Sequence, residues 1–161
     1  MISIADILFP EDILLDLNVS GAAALFDEVG QVMQRWHGLP RVVVAEALAQ
    51  REAFGSTALG QGVAIPHGRI KGLRQTHAAY VRPRRPMPFQ SPDGKPVSDF
   101  IVLLVPEQAN EHHLQLLSEL AQMFSDRTFR EQLLNAPDAL AAHALFAQWG
   151  SDAPDNSSAA V

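Results

Sequence analysis

Residues 99–105, Asp-Phe-Ile-Val-Leu-Leu-Val, form an almost unbroken apolar run that Pro106 ends. A strand with one wet face alternates apolar and polar side chains, so a strand apolar at nearly every position needs cover on both faces. That single segment asks for a central strand with a layer on each side. The rest of the chain supplies the layers. Residues 12–17 and 77–82 read as two further strands, and Val63-Ala64-Ile65 as a short one. Helical spacing of Leu25, Val29, Val32, Met33 and Trp36 predicts a helix over about 21–37, with Ser20 as its cap and Gly38 as its stop. Pro40 opens a second helix to about Ala53, for which Val42, Val43, Ala45, Ala49 and Phe54 are the expected buried face.

Beyond the apolar run, Asn110 is placed to cap a helix over about 111–124, with Leu114, Leu117, Leu120, Ala121 and Phe124 inward. Asp126 caps another through Leu134, and Pro137 starts a last one that ends near Trp149. Helices before and after the strands predict an α/β fold: a mixed β-sheet sandwiched between helices on both faces, in a single domain over 1–149. The small, polar residues 150–161 predict a disordered C-terminal tail.

Composition removes several kinds of function. The 161 residues contain no cysteine, so thiolate catalysis, disulfides and cysteine metal sites are out, in keeping with a reducing cytoplasm. No apolar run approaches the ~20 residues of a membrane helix, and the N-terminus lacks the basic-then-apolar pattern of a signal peptide. A net charge of −6 speaks against nucleic-acid binding. The charge is uneven, however. Residues 69–85 hold Arg69, Lys71, Arg74, Arg82, Arg84 and Arg85 and no acid, which predicts either a solvated basic face or a local field for an acidic partner.

The chemistry concentrates in Gly55-Ser56-Thr57-Ala58-Leu59-Gly60-Gln61-Gly62-Val63-Ala64-Ile65-Pro66-His67-Gly68. Here a histidine follows a short apolar strand, framed by Pro66 and Gly68, where the backbone must turn. Imidazole takes and releases charged groups near neutral pH. A glycine-lined backbone can approach an oxyanion with no Cβ in the way, which makes Ser56, Thr57, Gly60 and Gly62 candidate phosphate-binding positions. The loop is not a nucleotide-binding P-loop, since Gln61-Gly62 stand where that motif needs Lys and Ser/Thr. No metal is expected: the adjacent His112 and His113 would point about 100° apart on a helix, and there is no His-Glu-x-x-His pattern. No Gly-x-Ser-x-Gly elbow marks a serine hydrolase. Arg51, at the end of the second helix, and His113, in the first turn of the helix after the central strand, can reach the same sheet edge as His67, where ligands gather in open α/β sheets. His37, His77, His112 and His143 are expected to face solvent.

The run Gly-Ser-Thr-x-x-Gly-x-Gly-x-Ala-Ile-Pro-His-Gly resembles the phosphorylation-site motif of the fructose/mannitol-type enzyme IIA components of the bacterial phosphoenolpyruvate:sugar phosphotransferase system. The resemblance begins at Arg51-Glu52, resumes at Leu103-Leu104-Val105-Pro106 and His113-Leu114, and covers about residues 5–147. Among the branches it is most like the nitrogen-regulatory one. The resemblance implies a phosphoryl acceptor at His67, using Nε2, with Arg51 and His113 as its active-site partners and no cofactor. It implies an HPr-like phosphocarrier as donor and regulatory proteins as targets. The alternative it leaves open is a sugar-specific IIA that passes phosphate to a separate IIB subunit. Mannitol-type members tend to carry an acid at the position of Gln61, so the neutral residue here leans toward the regulatory branch. A module that binds partners with His67 unmodified is the reading from another class.

Overall fold

The computed structural model describes residues 3–108 and 111–159, with side chains to residue 149. It holds a six-stranded mixed sheet between two helical layers, as the apolar run requires. The elements run α1 (Ile4–Ile7), β1 (Ile13–Leu17), α2 (Ala22–His37), α3 (Arg41–Ala53), β2 (Ala58–Gly60), β3 (Val63–Ala64), β4 (His67–Ile70), β5 (His77–Pro83), β6 (Asp99–Pro106), α4 (Glu111–Ser125), α5 (Arg127–Leu134) and α6 (Ala139–Ala159).

The sheet order is β1-β5-β6-β3-β2, with β4 also on β6. One edge of β6 carries antiparallel β5, and the other carries β3 and then β4, both parallel to it. Successive side chains of β6 serve opposite layers. Ile101, Leu103 and Val105 pack with α1, α4, α5 and α6, whereas Phe100, Val102 and Leu104 pack with α2 and α3. Ala78 and Tyr80 against Ala79 and Val81 repeat the division on β5.

Several local expectations change. Gly21, not Ser20, is the N-cap of α2, and its φ of −159° is extended backbone. The helix closes as foreseen on Gly38, whose φ of +71° suits a residue without Cβ. In α3 the buried residues are Val44 and Leu48; Val42, Val43 and Phe54 are exposed. In α4 they are His113, Leu116, Leu120, Met123 and Phe124, with Leu114 out in solvent. The expected cap Asn110 lies outside the described residues. Asp126 does cap α5, accepting from the Thr128 amide at 2.9 Å. Asp138 rather than Pro137 leads into α6, its carboxylate accepting from the Ala141 amide. The helical backbone of α6 passes Trp149 to Ala159.

Candidate active site at the β3–β4 break

The break in the strand builds the site. Val63 is level with Asp99 on β6 and His67 with Leu103, so β3 and β4 are two pieces of one edge interrupted at Ile65-Pro66. The Pro66 carbonyl still accepts from the Leu103 amide at 2.9 Å, which keeps the break in register. The Ile65 carbonyl is turned to the His67 ring instead, where Nδ1 lies 2.8 Å away. A carbonyl only accepts, so Nδ1 carries the proton and Nε2 keeps its lone pair.

Gly68 brings in the second residue. A Cβ there would stand 2.9 Å from the carbonyl carbon and oxygen of Ala47, so α3 lies directly on β4 because residue 68 is glycine. Arg51 follows Ala47 by four residues and shares its helix face. Its Nη1 donates to the Gly55 carbonyl at 2.8 Å, and a guanidinium has further donors for an anion. The third residue comes from the other layer. His67 and Arg69, alternating with Gly68, face α4, and the His113 ring sits 5.3 Å from that of His67 at an angle of 55°. His113 is 8% exposed, and its buried Nδ1 has no hydrogen-bond partner among the described residues. Arg51, His67, Arg69 and His113, with Phe54 and Gln50, line one cleft of about 360 Å³. The site thus opens at an interruption within the sheet edge, not beyond the strand ends where open α/β sheets usually bind.

The surroundings disfavour the charged form of both imidazoles. Burial pushes His67 below the ordinary histidine value, and the nearby Arg51 and Arg69 push the same way; its bond to Ile65 and the charge of Glu52 oppose them. Burial, with help from His67 and Arg69, takes His113 down to about 4. A neutral, oriented ring with an open Nε2 beside a guanidinium is equipped to accept a phosphoryl group.

The glycine loop plays a different part from the one expected. Ser56 and Thr57 line a second cleft that Arg51 and His67 also border. Their hydroxyls and the Thr57 amide are engaged: the Ser56 hydroxyl donates to the Gln90 carbonyl, and the Thr57 amide and hydroxyl donate to the Glu52 carboxylate at 2.9 and 2.8 Å. Gly60 and Gly62 line neither cleft. They lie near the level of Asp99, four residues along β6 from Leu103, or roughly 13 Å. With φ of +90° and +78° they flank Gln61, itself at +59°, in the left-handed β2–β3 turn. Those glycines serve the turn, so of the four candidate phosphate-binding positions only Ser56 and Thr57 border the cleft of His67.

The other histidines also differ from expectation. His37 is half-buried and holds the fully buried Asp12 carboxylate through Nε2 at 2.9 Å, and the His77 ring lies 4.8 Å from its own at a tilt of 53°. Only His112 is exposed. Glu52 clamps the loop through Thr57, and its one sequence signal is its place beside Arg51 in the motif.

The family description "Phosphoenolpyruvate-dependent sugar phosphotransferase system, EIIA 2" matches residues 6–149. A nitrogen regulatory protein of Bradyrhizobium diazoefficiens is 36% identical over 144 residues, 89% of this chain and 94% of that protein. The crystal structure of the nitrogen regulatory protein IIA-Ntr from Neisseria meningitidis superposes with a TM-score of 0.84 at 45% identity, covering 89% of this chain and 98% of that one. A fructose-specific EIIABC component of Bacillus subtilis is 30% identical over 134 residues, 83% of this chain but 21% of that protein.

Proposed function

The chain belongs to the EIIA type-2 family of the phosphoenolpyruvate-dependent sugar phosphotransferase system, and from that premise we propose that His67 accepts a phosphoryl group on Nε2 from an HPr-like phosphocarrier. The observation that carries the reading is the Nδ1–H bond to the Ile65 carbonyl, which leaves Nε2 as the nucleophile within a cleft shared with Arg51 and His113. In the transfer, the Nε2 lone pair forms the new N–P bond while the carrier's N–P bond breaks and its electron pair returns to the carrier imidazole. Such transfers pass through a loose transition state, so positioning and charge stabilisation supply most of the catalysis. The Arg51 fork and the His113 ring stabilise the phosphoryl oxygens. The His67 ring gains positive character as it bonds to phosphorus, which strengthens the hydrogen bond to Ile65.

The donor is a protein in this reading, because the cleft is bordered by an exposed aromatic side chain, Phe54, which is 91% accessible. No helix among the described residues is long and apolar enough to cross a membrane, and the cytoplasm, where the phosphocarrier would be met, is the compartment the reading implies. Phosphorylation adds about −1.5 to −2 charge at the cleft, enough to change which regulatory protein binds. Likeness to nitrogen regulatory proteins over nearly their full length favours that output. Likeness to one part of a fructose-specific component supports the second reading, delivery to a separate IIB subunit.

The test is to mix the purified protein with phosphoenolpyruvate, enzyme I and the carrier, and to weigh the intact product. One acid-labile phosphoryl group, absent from His67→Ala, is expected. No label with a competent carrier would leave a binding module with an unmodified histidine. Adding a fructose-type IIB subunit then separates the outputs: retention of the label supports the regulatory reading, and rapid loss to IIB the sugar-specific one.

A further inference from the structure

The orientation of His67 traces back, bond by bond, to a carboxylate on another element. We infer that Glu52 is a positioning residue that fixes the reactive tautomer of His67 through the loop between α3 and β2. Its two oxygens take both protons that Thr57 offers, from the amide at 2.9 Å and from the hydroxyl at 2.8 Å. The Thr57 carbonyl, held by that clamp, accepts from the Ile65 amide at 3.0 Å. The Ile65 carbonyl, on the other side of the same residue, accepts from His67 Nδ1 at 2.8 Å. Four hydrogen bonds therefore connect Glu52 to the ring. Thr57, Ala58, Ile65 and Pro66 are buried along the way, so water cannot readily replace a lost link.

The arrangement has a chemical purpose if His67 is the phosphoryl acceptor, and the inference rests on that reading. A neutral imidazole has two tautomers, and only the one with its proton on Nδ1 presents a lone pair at Nε2. The carbonyl of Ile65 selects that tautomer, and it can do so only while the strand break stays in place. Glu52 also sits beside Arg51 in sequence, so the last turn of α3 supplies both a cation for the cleft and the anchor for the ring it serves. Its negative charge favours positive character on His67, which is what the ring acquires as the N–P bond forms.

The ring nitrogens of His67 report the tautomer directly. The full chain labelled with 15N is compared near neutral pH with Glu52→Ala, Glu52→Gln and Thr57→Val, together with the rate of phosphorylation and the affinity for the carrier. Wild type is expected in the single Nδ1–H form. Glu52→Ala and Thr57→Val are expected to show both tautomers and to be phosphorylated about five- to tenfold more slowly, the factor set by one hydrogen bond's worth of preference, with carrier affinity unchanged. Glu52→Gln keeps an acceptor for the Thr57 amide and a donor for its hydroxyl, so it is expected to restore the single tautomer. Thr57→Val decides the matter if Glu52→Ala fails to fold. A single Nδ1–H tautomer in both Glu52→Ala and Thr57→Val, or a mixture already in wild type, would overturn the inference. The tautomer is read without the carrier, so a wild type in the single form that takes no phosphoryl group would sink the acceptor reading and leave the variant spectra to judge Glu52.

Discussion

His113 shows how much a single side chain can carry. Its Nδ1 is buried without a partner among the described residues, and the residue is 8% exposed. A buried imidazole in that state resists protonation, hence the value of about 4. The unfolded chain has no such resistance and its histidine titrates near the ordinary 6.5. Between these values the unfolded state binds the extra proton, so stability is lost as pH falls from 6.5 toward 4. His67, lowered in the same direction, adds to the slope. Urea midpoints measured at pH 7 and pH 5 are expected to drop for wild type and to drop less for His113→Gln; equal drops would remove His113 from the account. At this scale the site was largely legible. Arg51, His67 and His113 converge as the motif implies, because a strand end, a helix end and a first helical turn are easy to place. Glu52 was not legible, because its partner is a backbone amide and a hydroxyl five residues away, and only the loop's path reveals that.

The contact between α3 and β4 is the element on which the cleft depends. Gly68 has no room for a side chain against Ala47, and that closeness sets Arg51 beside His67. Gly68→Ala is expected to push the helix off the strand, at a cost of about 1–3 kcal/mol from overpacking, and to slow phosphorylation by displacing Arg51. Denaturant unfolding with an unchanged midpoint would show that the helix does not need the glycine. The sequence marks both elements but not how they meet. The apolar residues of α3 support more than one helical phase, and the face turned inward is Val44 and Leu48, one step from Val43 and Ala45. The same slip moves the inward face of α4 from Leu114 to His113 and Leu116. Packing against a particular strand decides such phases, and periodicity within a short helix does not. β2 and β4, at three and four residues, are too short for any alternation to show, whereas β6 stands out because burial on both faces leaves it almost wholly apolar.

Over the whole molecule, the acidic chain carries a basic stretch that folding divides. Arg69 enters the cleft. Arg82 is buried and donates to the carbonyls of Leu133, Leu134 and Ala136 at the end of α5, a structural task that its place in a basic run concealed. Arg84 and Arg85 line a separate hollow before α2. Of the stretch, Arg69 acts on His67, together with Arg51 from outside it, while Lys71 and Arg74 are exposed farther along the chain. Reversing the charge of Arg69 and Arg74 is expected to slow phosphorylation severalfold at low salt and much less at high salt, since surface fields are screened beyond about 10 Å at 0.1 M ionic strength. Equal slowing at both would exclude steering. The two-layer architecture itself was forecast by the apolar run of β6, and it is what allows one histidine to be served from both sides, by α3 on one face and α4 on the other.

The most direct measurement is the nitrogen to which phosphorus becomes attached. The protein labelled with 15N is phosphorylated through the carrier, and the phosphorus–nitrogen coupling of the product is read by NMR. Coupling to Nε2 of His67, with Nδ1 still protonated, is the predicted result. Phosphorus on Nδ1, or on any other residue, would contradict an account in which the Ile65 carbonyl chooses the nucleophile.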